Sequence, residues 1–317
     1  MSHIFSKSKA LSLLLLAILS SWQLSFAQEP SDEQISSQSI DQTIAKDSGQ
    51  DSISTRHFLK VLREPSNGGK SIALQTAIKT YCIPNDRSEC IFVDLIAAVH
   101  IGDPKYYQML NKEFEKYDAL LFELVAPEGN AIPVSHSAGN NSISALQMGL
   151  KQLLELEFQL DKVDYSKTNF VHADLSPATL FELFRKQEGG IGAIVFQILM
   201  LSYAKEQAHK DGSQDLELLA ALLSPKRALA LKRILAKEFE SSADIELLLR
   251  GPLGHTLVGA RNRAALEVLA TELKAKKKTI GIFYGAAHME DMERQLKENF
   301  HARLENTRWL EAWDLRN

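Results

Sequence analysis

Cysteine is nearly absent from this 317-residue chain, which holds only Cys82 and Cys90. Their spacing matches no usual zinc pattern, and the lack of a cysteine near residue 27 argues against a lipoprotein. Both adjoin strand-like segments around the turn-rich Ile83-Pro84-Asn85-Asp86-Arg87-Ser88-Glu89, so a short disulfide across a hairpin mouth is expected, in an oxidising compartment. Concentrated positive charge is also lacking. The formal charge is −4 and the lysines are scattered apart from Lys274, Lys276, Lys277 and Lys278, which makes nucleic acid an unexpected partner. That lysine group closes an amphipathic helix, where cations suit the negative helix end. Catalytic signatures carried by one short segment are missing: no H-E-x-x-H, no G-x-S-x-G and no phosphate-binding P-loop. Gly190-x-Gly192 follows a helix and lacks the third glycine of a dinucleotide fingerprint. Any active site must then be assembled from distant segments.

What is present begins with Lys7 and Lys9, an apolar run from Ala10 to Leu24, and Ser25-Phe26-Ala27. That order predicts a secretory signal peptide over 1–27 with a small-x-small cleavage site. The run falls short of the roughly 20 apolar residues that cross a bilayer, so no membrane span is expected after cleavage; an uncleaved anchor is the alternative. Loss of Lys7 and Lys9 leaves a formal charge of −6. Residues 28–55 are Ser, Gln, Asp and Glu with isolated isoleucines, too polar to repay ordering, and read as a flexible linker. No Pro/Gly/Ser-rich break follows, so 56–317 is expected to form one domain of an exported protein, periplasmic or secreted, whose oligomeric state the sequence leaves open.

Within that domain, 57–64 and 71–83 read as antiparallel strands about the turn Pro65-Ser66-Asn67-Gly68-Gly69. Residues 91–99 are nearly continuously apolar, as in a strand covered on both faces, and lead to His100. Asp103-Pro104 opens a helix to about Tyr117, and 119–125 is a second buried strand with Glu123 near its end. This is the strand, helix, strand unit of parallel sheets. A helix is expected over 142–160, a short strand over 169–173 reaching Asp174, and a helix capped by Ser176-Pro177. Most of 178–250 is helical, with breaks near Gly189-Gly190, Gly212 and Ser224-Pro225; the apolar piece 191–201 suits a buried helix better than a membrane span, a partner-facing surface being the alternative. A helix over 257–277 leads to the last clear strand, 279–284, and to Gly285-Ala286-Ala287-His288. The expected fold is α/β: a mixed sheet with N-terminal antiparallel hairpins and a parallel core, helices packed around it, and a large helical insertion in the middle.

Ligands of open parallel sheets bind outside the carboxyl ends of the strands. Four such ends carry His100, Glu123, Asp174 and His288, and neighbouring ends are close enough to share one small ligand or metal ion. Both histidines are followed three residues later by an aspartate and then by helical periodicity, which would set each imidazole beside a helix N-terminus and hold it neutral. A neutral imidazole can ligate a metal or take a proton. Glu123 needs a cation, a metal or a proton if it is buried. Asp94, Asp103 and Asp291 are expected as a strand polar residue and two helix caps; His57, His136, His209, His255 and His301 as structural or exposed.

Ala97-Ala98-Val99-His100, Leu121-Phe122-Glu123-Leu124, His172-Ala173-Asp174, Ala260-Arg261-Asn262-Arg263 and Gly285-Ala286-Ala287-His288 occur in an order that resembles the TraB, PrgY and GumN family. That family is related to the TIKI proteases and, more distantly, to erythromycin esterases and the haem-uptake protein ChaN. The likeness spans about residues 91 to 300. The second G-x-x-H is intact, whereas Ala97 and Ala260 stand where the family has glycine and glutamate. The resemblance implies a metallohydrolase-like fold and, for TIKI-like members, a divalent-metal-dependent protease activity. It implies that Arg261 pairs with Glu123 or holds an anionic substrate group, with Arg263 on the same helix and His172 and Asp174 as further substrate-binding candidates.

The leading expectation is therefore a hydrolase in which His100, His288 and Glu123 bind a divalent metal (Mn, Co or Zn) or position a water, with Arg261 stabilising developing negative charge. Its partner would be a peptide or small-molecule substrate. A metal-free form would use a histidine as general base oriented by Glu123. The rival is a binding protein that holds a peptide, pheromone or haem-like ligand without turning it over; a third reading is a helical interaction surface over 191–223 beside an inert site.

Overall fold

The computed structural model describes residues 58–65, 69–85, 89–126, 152–186, 213–241 and 258–316. The expected signal peptide, the polar linker, the apolar piece 191–201 and much of the helical insertion lie outside the described residues, as do His57, His136, His209 and His255. Strands β1 (Leu59–Arg63), β2 (Ser71–Pro84) and β3 (Cys90–Ala98) open the domain as antiparallel neighbours. A two-residue strand, β4 (Ile101–Gly102), precedes helix α1 (Pro104–Phe114) and strand β5 (Ala119–Phe122). After β6 (Glu157–Phe158) and the single turn α2 (Gln159–Lys162) come β7 (Phe170–His172) and α3 (Pro177–Lys186). Helices α4 (Ser213–Leu223), α5 (Arg227–Ser241) and α6 (Ala260–Lys274) lead to β8 (Thr279–Gly285), α7 (Met289–Phe300) and β9 (Arg303–Asp314).

Seven strands form one mixed sheet in the order β1-β2-β3-β8-β5-β7, with β9 on β2. The run β3, β8, β5, β7 is parallel throughout, and β8 separates β3 from β5. The α/β class and the mixed sheet follow the sequence pattern, because β3, β5 and β8 are apolar on both faces. One face, with Leu74, Ile78, Ile96, Leu120 and Phe283, packs against Tyr107, Leu110 and Phe114 of α1 and Leu235 and Phe239 of α5. The opposite face, with Val93, Leu95, Leu121 and Ile282, packs against Leu266 and Leu269 of α6 and Met292 and Leu296 of α7. Each fully buried aliphatic side chain contributes about 1.5–3 kcal/mol. Gly281 lets this layer close: a Cβ there would stand 2.6 Å from Leu120 Cδ1.

Three expectations about elements are corrected. Residues 303–314 form a full strand, β9, that the pattern does not announce, since its first five residues are exposed and full burial is reached only at Ala312 and Trp313. In the described part of 142–160 the helix does not persist: a turn over 152–154 ends at Glu155, whose φ is 53°, and Glu157–Phe158 then pairs with Ile101–Gly102. Asp103 is no side-chain cap; it accepts from Lys232 Nζ at 2.8 Å and from the Asp314 amide at 2.5 Å, tying α5 and β9 to the start of α1. Ser176 does cap its helix, accepting from the Thr179 amide at 3.1 Å. Asp94 accepts from the Tyr117 hydroxyl at 2.6 Å within the sheet layer, and His301 is the exposed left-handed residue that ends α7.

Cys82 and Cys90 are joined in a disulfide across the β2–β3 hairpin. The bond closes a short loop, and replacing both residues by serine is expected to lower stability by about 2.5 kcal/mol through the chain entropy regained on unfolding. Urea unfolding of the double variant beside the oxidised parent checks this. Among the described residues no helix is long and apolar enough to cross a membrane.

Candidate functional site

The carboxyl ends of the four parallel strands converge, as strand register requires. Ala98 lies opposite Gly285, and Phe122 lies between Phe283 and His172. Glu123 follows β5 directly, His100 follows β3 after one residue, and Asp174 follows β7 after one residue. His288 closes a single 3₁₀ turn over Ala286–His288 that caps β8 and leads into α7.

Glu123 is the hub, 8% exposed. Its Oε1 accepts from Arg261 Nη2 at 2.9 Å and lies 3.6 Å from His288 Nε2; its Oε2 accepts from the Gly285 amide at 2.6 Å. Burial alone pushes this carboxyl up, but Arg261, then His288 and His100, and the Gly285 N–H outweigh it and bring the pKa down to about 2. Gly285 also leaves room. A Cβ on it would stand 3.3 Å from Glu123 Oε2 and 3.4 Å from His100 Nε2, so the two strand-end groups face one small cradle that a side chain at 285 would narrow.

Arg261 is 2% exposed and sits in the first turn of α6, where a cation opposes the positive helix end. Two carboxylates compensate. Its Nε and Nη2 donate to Asp174 Oδ1 and Oδ2 at 2.8 and 2.5 Å in a forked pair, while Nη2 also reaches Glu123. Of the two roles that the resemblance allows Arg261, this geometry is the pairing with Glu123. Arg261 therefore anchors the two acids, with these donors turned away from any ligand.

The two histidines, alike in sequence, stand in different surroundings. His288 is fully buried, and desolvation pushes its imidazole down to about 4 against the raising pull of Glu123, so the ring is neutral at pH 7. It directly precedes α7, as expected of a residue beside a helix N-terminus. His100 is half-buried, and pairing of Ile101 with Phe158 keeps the chain extended beyond it, so that α1 begins only at Pro104.

The remaining candidates divide. Asp174 joins the cluster through Arg261. His172 donates through Nε2 to the Leu124 carbonyl at 2.6 Å and lies edge-on to Phe122, which commits it to the β5 loop. Arg263 is exposed, its Nη1 lying 3.7 Å from where a Gly259 Cβ would be, and none of its contacts joins it to Glu123. Ala97 and Ala260 are both buried. One partner lacked a role in the sequence reading and another had a different one. Asn262, fully buried, accepts from His288 Nδ1 at 2.6 Å, and Asp291, expected as a cap, instead accepts from Asn262 Nδ2 at 2.7 Å. Tyr284 donates to the Ala173 carbonyl and so fixes the β7 end beside β8. A polar residue directly after Arg261 in an otherwise apolar helix face was the available signal for Asn262.

Donor types suited to a divalent ion are present in His100, His288 and Glu123, and two acids against the single Arg261 give a formal charge of −1, which favours a cation. Among the described residues no three His, Cys, Asp or Glu side chains stand together as a formed metal cage. Comparison with protein-family models, with curated proteins and with solved structures gives no match to this chain.

Proposed function

We propose that this strand-end cluster is the water-activating centre of an exported hydrolase, with peptide bonds as the first substrate class by the resemblance of its motifs. The observation that carries the reading is the Gly285 cradle, faced by a carboxylate held ionised and by the imidazole of His100. His100, the more accessible histidine, takes the proton of the attacking water, and Glu123 orients it. Arg261 and Asp174 hold Glu123 in place. A divalent ion, Mn, Co or Zn, would be held by His100, His288 and Glu123, and would supply an acidified water.

Protein purified without chelator, assayed for metal content and for cleavage of a peptide library before and after chelation, tests this. Cleavage is expected, with His100→Ala losing about 10²–10⁴-fold. Gly285→Ala, which fills the cradle, is expected to lose on the order of 10²-fold. Full activity without metal removes the metal form and leaves the general-base form. A peptide retained uncut favours the binding protein instead, a reading supported by the engagement of Arg261 with two carboxylates rather than with an open site.

A further inference from the structure

The cluster contains one group whose chemistry is set from outside it. Asn262 lies between His288 and Asp291, and its amide can be oriented in only one favourable way. Nδ2 faces two acceptors, the His288 carbonyl at 3.1 Å and Asp291 Oδ2 at 2.7 Å. A reversed amide would set its oxygen against a carbonyl and a carboxylate oxygen, acceptors both, at contact distance. Oδ1 must therefore face His288 Nδ1, 2.6 Å away, and an oxygen at that distance requires Nδ1 to carry the proton.

We propose that Asn262, itself oriented by Asp291, is a positioning residue that fixes His288 as the Nδ1–H tautomer and presents the Nε2 lone pair to the Glu123 side of the cluster. The bond also sets the plane of the ring, since Nδ1 and the His288 carbonyl are both held by the same amide. In a neutral ring the tautomer decides which nitrogen can ligate or accept a proton. Nε2 points toward Glu123 Oε1, 3.6 Å away. Asp291 reaches outward as well, accepting from Arg294 Nη2 at 2.6 Å and from Gln295 Nε2 at 2.7 Å, which holds its carboxylate still from the surface side. The sequence spacing of three residues between His288 and Asp291 is then a consequence of one α7 turn that lets both meet the same amide.

The use of this lone pair in catalysis rests on the hydrolase reading, but the tautomer does not. Long-range proton–nitrogen correlation on full-length protein labelled with ¹⁵N-histidine, with the His288 signals assigned by their loss in His288→Gln, reads it directly. The expected wild-type result near neutral pH is a single Nδ1–H form of His288. Asn262→Ala is expected to lose that single form, and Asp291→Ala, which removes the carboxylate that holds the amide's orientation, to weaken it. An Nε2–H ring in the wild type overturns the proposal, even if neither variant folds; so does Asn262→Ala that keeps Nδ1–H. A fixed Nδ1–H tautomer in a protein that cleaves nothing would sink the hydrolase reading alone.

Discussion

Arg261→Met is expected to destabilise the domain by about 3–5 kcal/mol, the largest loss from any single substitution in the cluster. The side chain is 2% exposed and supplies the positive charge that the Glu123 and Asp174 carboxylates share. Methionine keeps the apolar stem but not the guanidinium, and leaves two acids facing each other in a buried space. They can be accommodated only by taking up a proton or by opening the cluster to water, and both reduce stability. Arg261→Lys keeps the charge but loses the fork, because one ammonium cannot reproduce the planar pairing to Asp174 while reaching Glu123; an intermediate loss is expected. Urea unfolding at neutral pH measures both. A loss below about 1 kcal/mol for the methionine variant would mean that the cluster is open to solvent and its pairing screened.

Acidification is expected to unfold the protein in two successive windows. His288 has an ordinary value of 6.5 and a folded value of about 4, so the unfolded chain binds its proton first. Its contribution to stability is complete above 6.5 and is lost as the pH falls toward 4. Glu123 follows, with an ordinary value of 4.5 and a folded value of about 2: its contribution is present above 4.5 and is lost as the pH falls toward 2. Each is worth a few kcal/mol, and both act in the same direction. Unfolding free energy measured across this range should therefore decline from mildly acidic pH downward. His288→Gln is expected to flatten the upper window and leave the lower one, whatever its effect on stability at neutral pH. An unchanged slope in that variant would assign the acid response to other groups.

The strand ends were legible because β3, β5 and β8 are covered on both faces, so their apolar runs stop where the chain reaches the sheet edge and a polar residue appears. Glu123, His100, Asp174 and His288 stand out for that reason. The cysteine pair was legible from its turn-rich spacer. What composition could not reveal is which imidazole lies deep and which is accessible, since Ala98-Val99-His100 and Ala286-Ala287-His288 look alike while only the former continues as extended chain. Strand β9 was hidden for a different reason: Arg303, Glu305 and Asn306 interrupt any alternation, and its place is set by β2, far away in sequence. Asp291 was read as a cap from its position in the first turn of α7; its partner, Asn262, lies on another helix, and no local pattern points to it.

The sheet order has a consequence for how the chain acquires its shape. β3 and β5 are near neighbours in sequence, yet they never touch, because β8 is inserted between them. β2, already paired with β1 and β3, gains its third partner only from β9. During synthesis β1, β2 and β3 can pair with one another, but the β3 and β5 edges that face β8 and the β2 edge that faces β9 stay unpaired until residues 279–314 have been made, and folding dominated by such late, distant pairings is slow. A chain that crossed a membrane before folding would suffer little from this delay, since it would have only the β1–β2–β3 hairpins to dismantle and no parallel half.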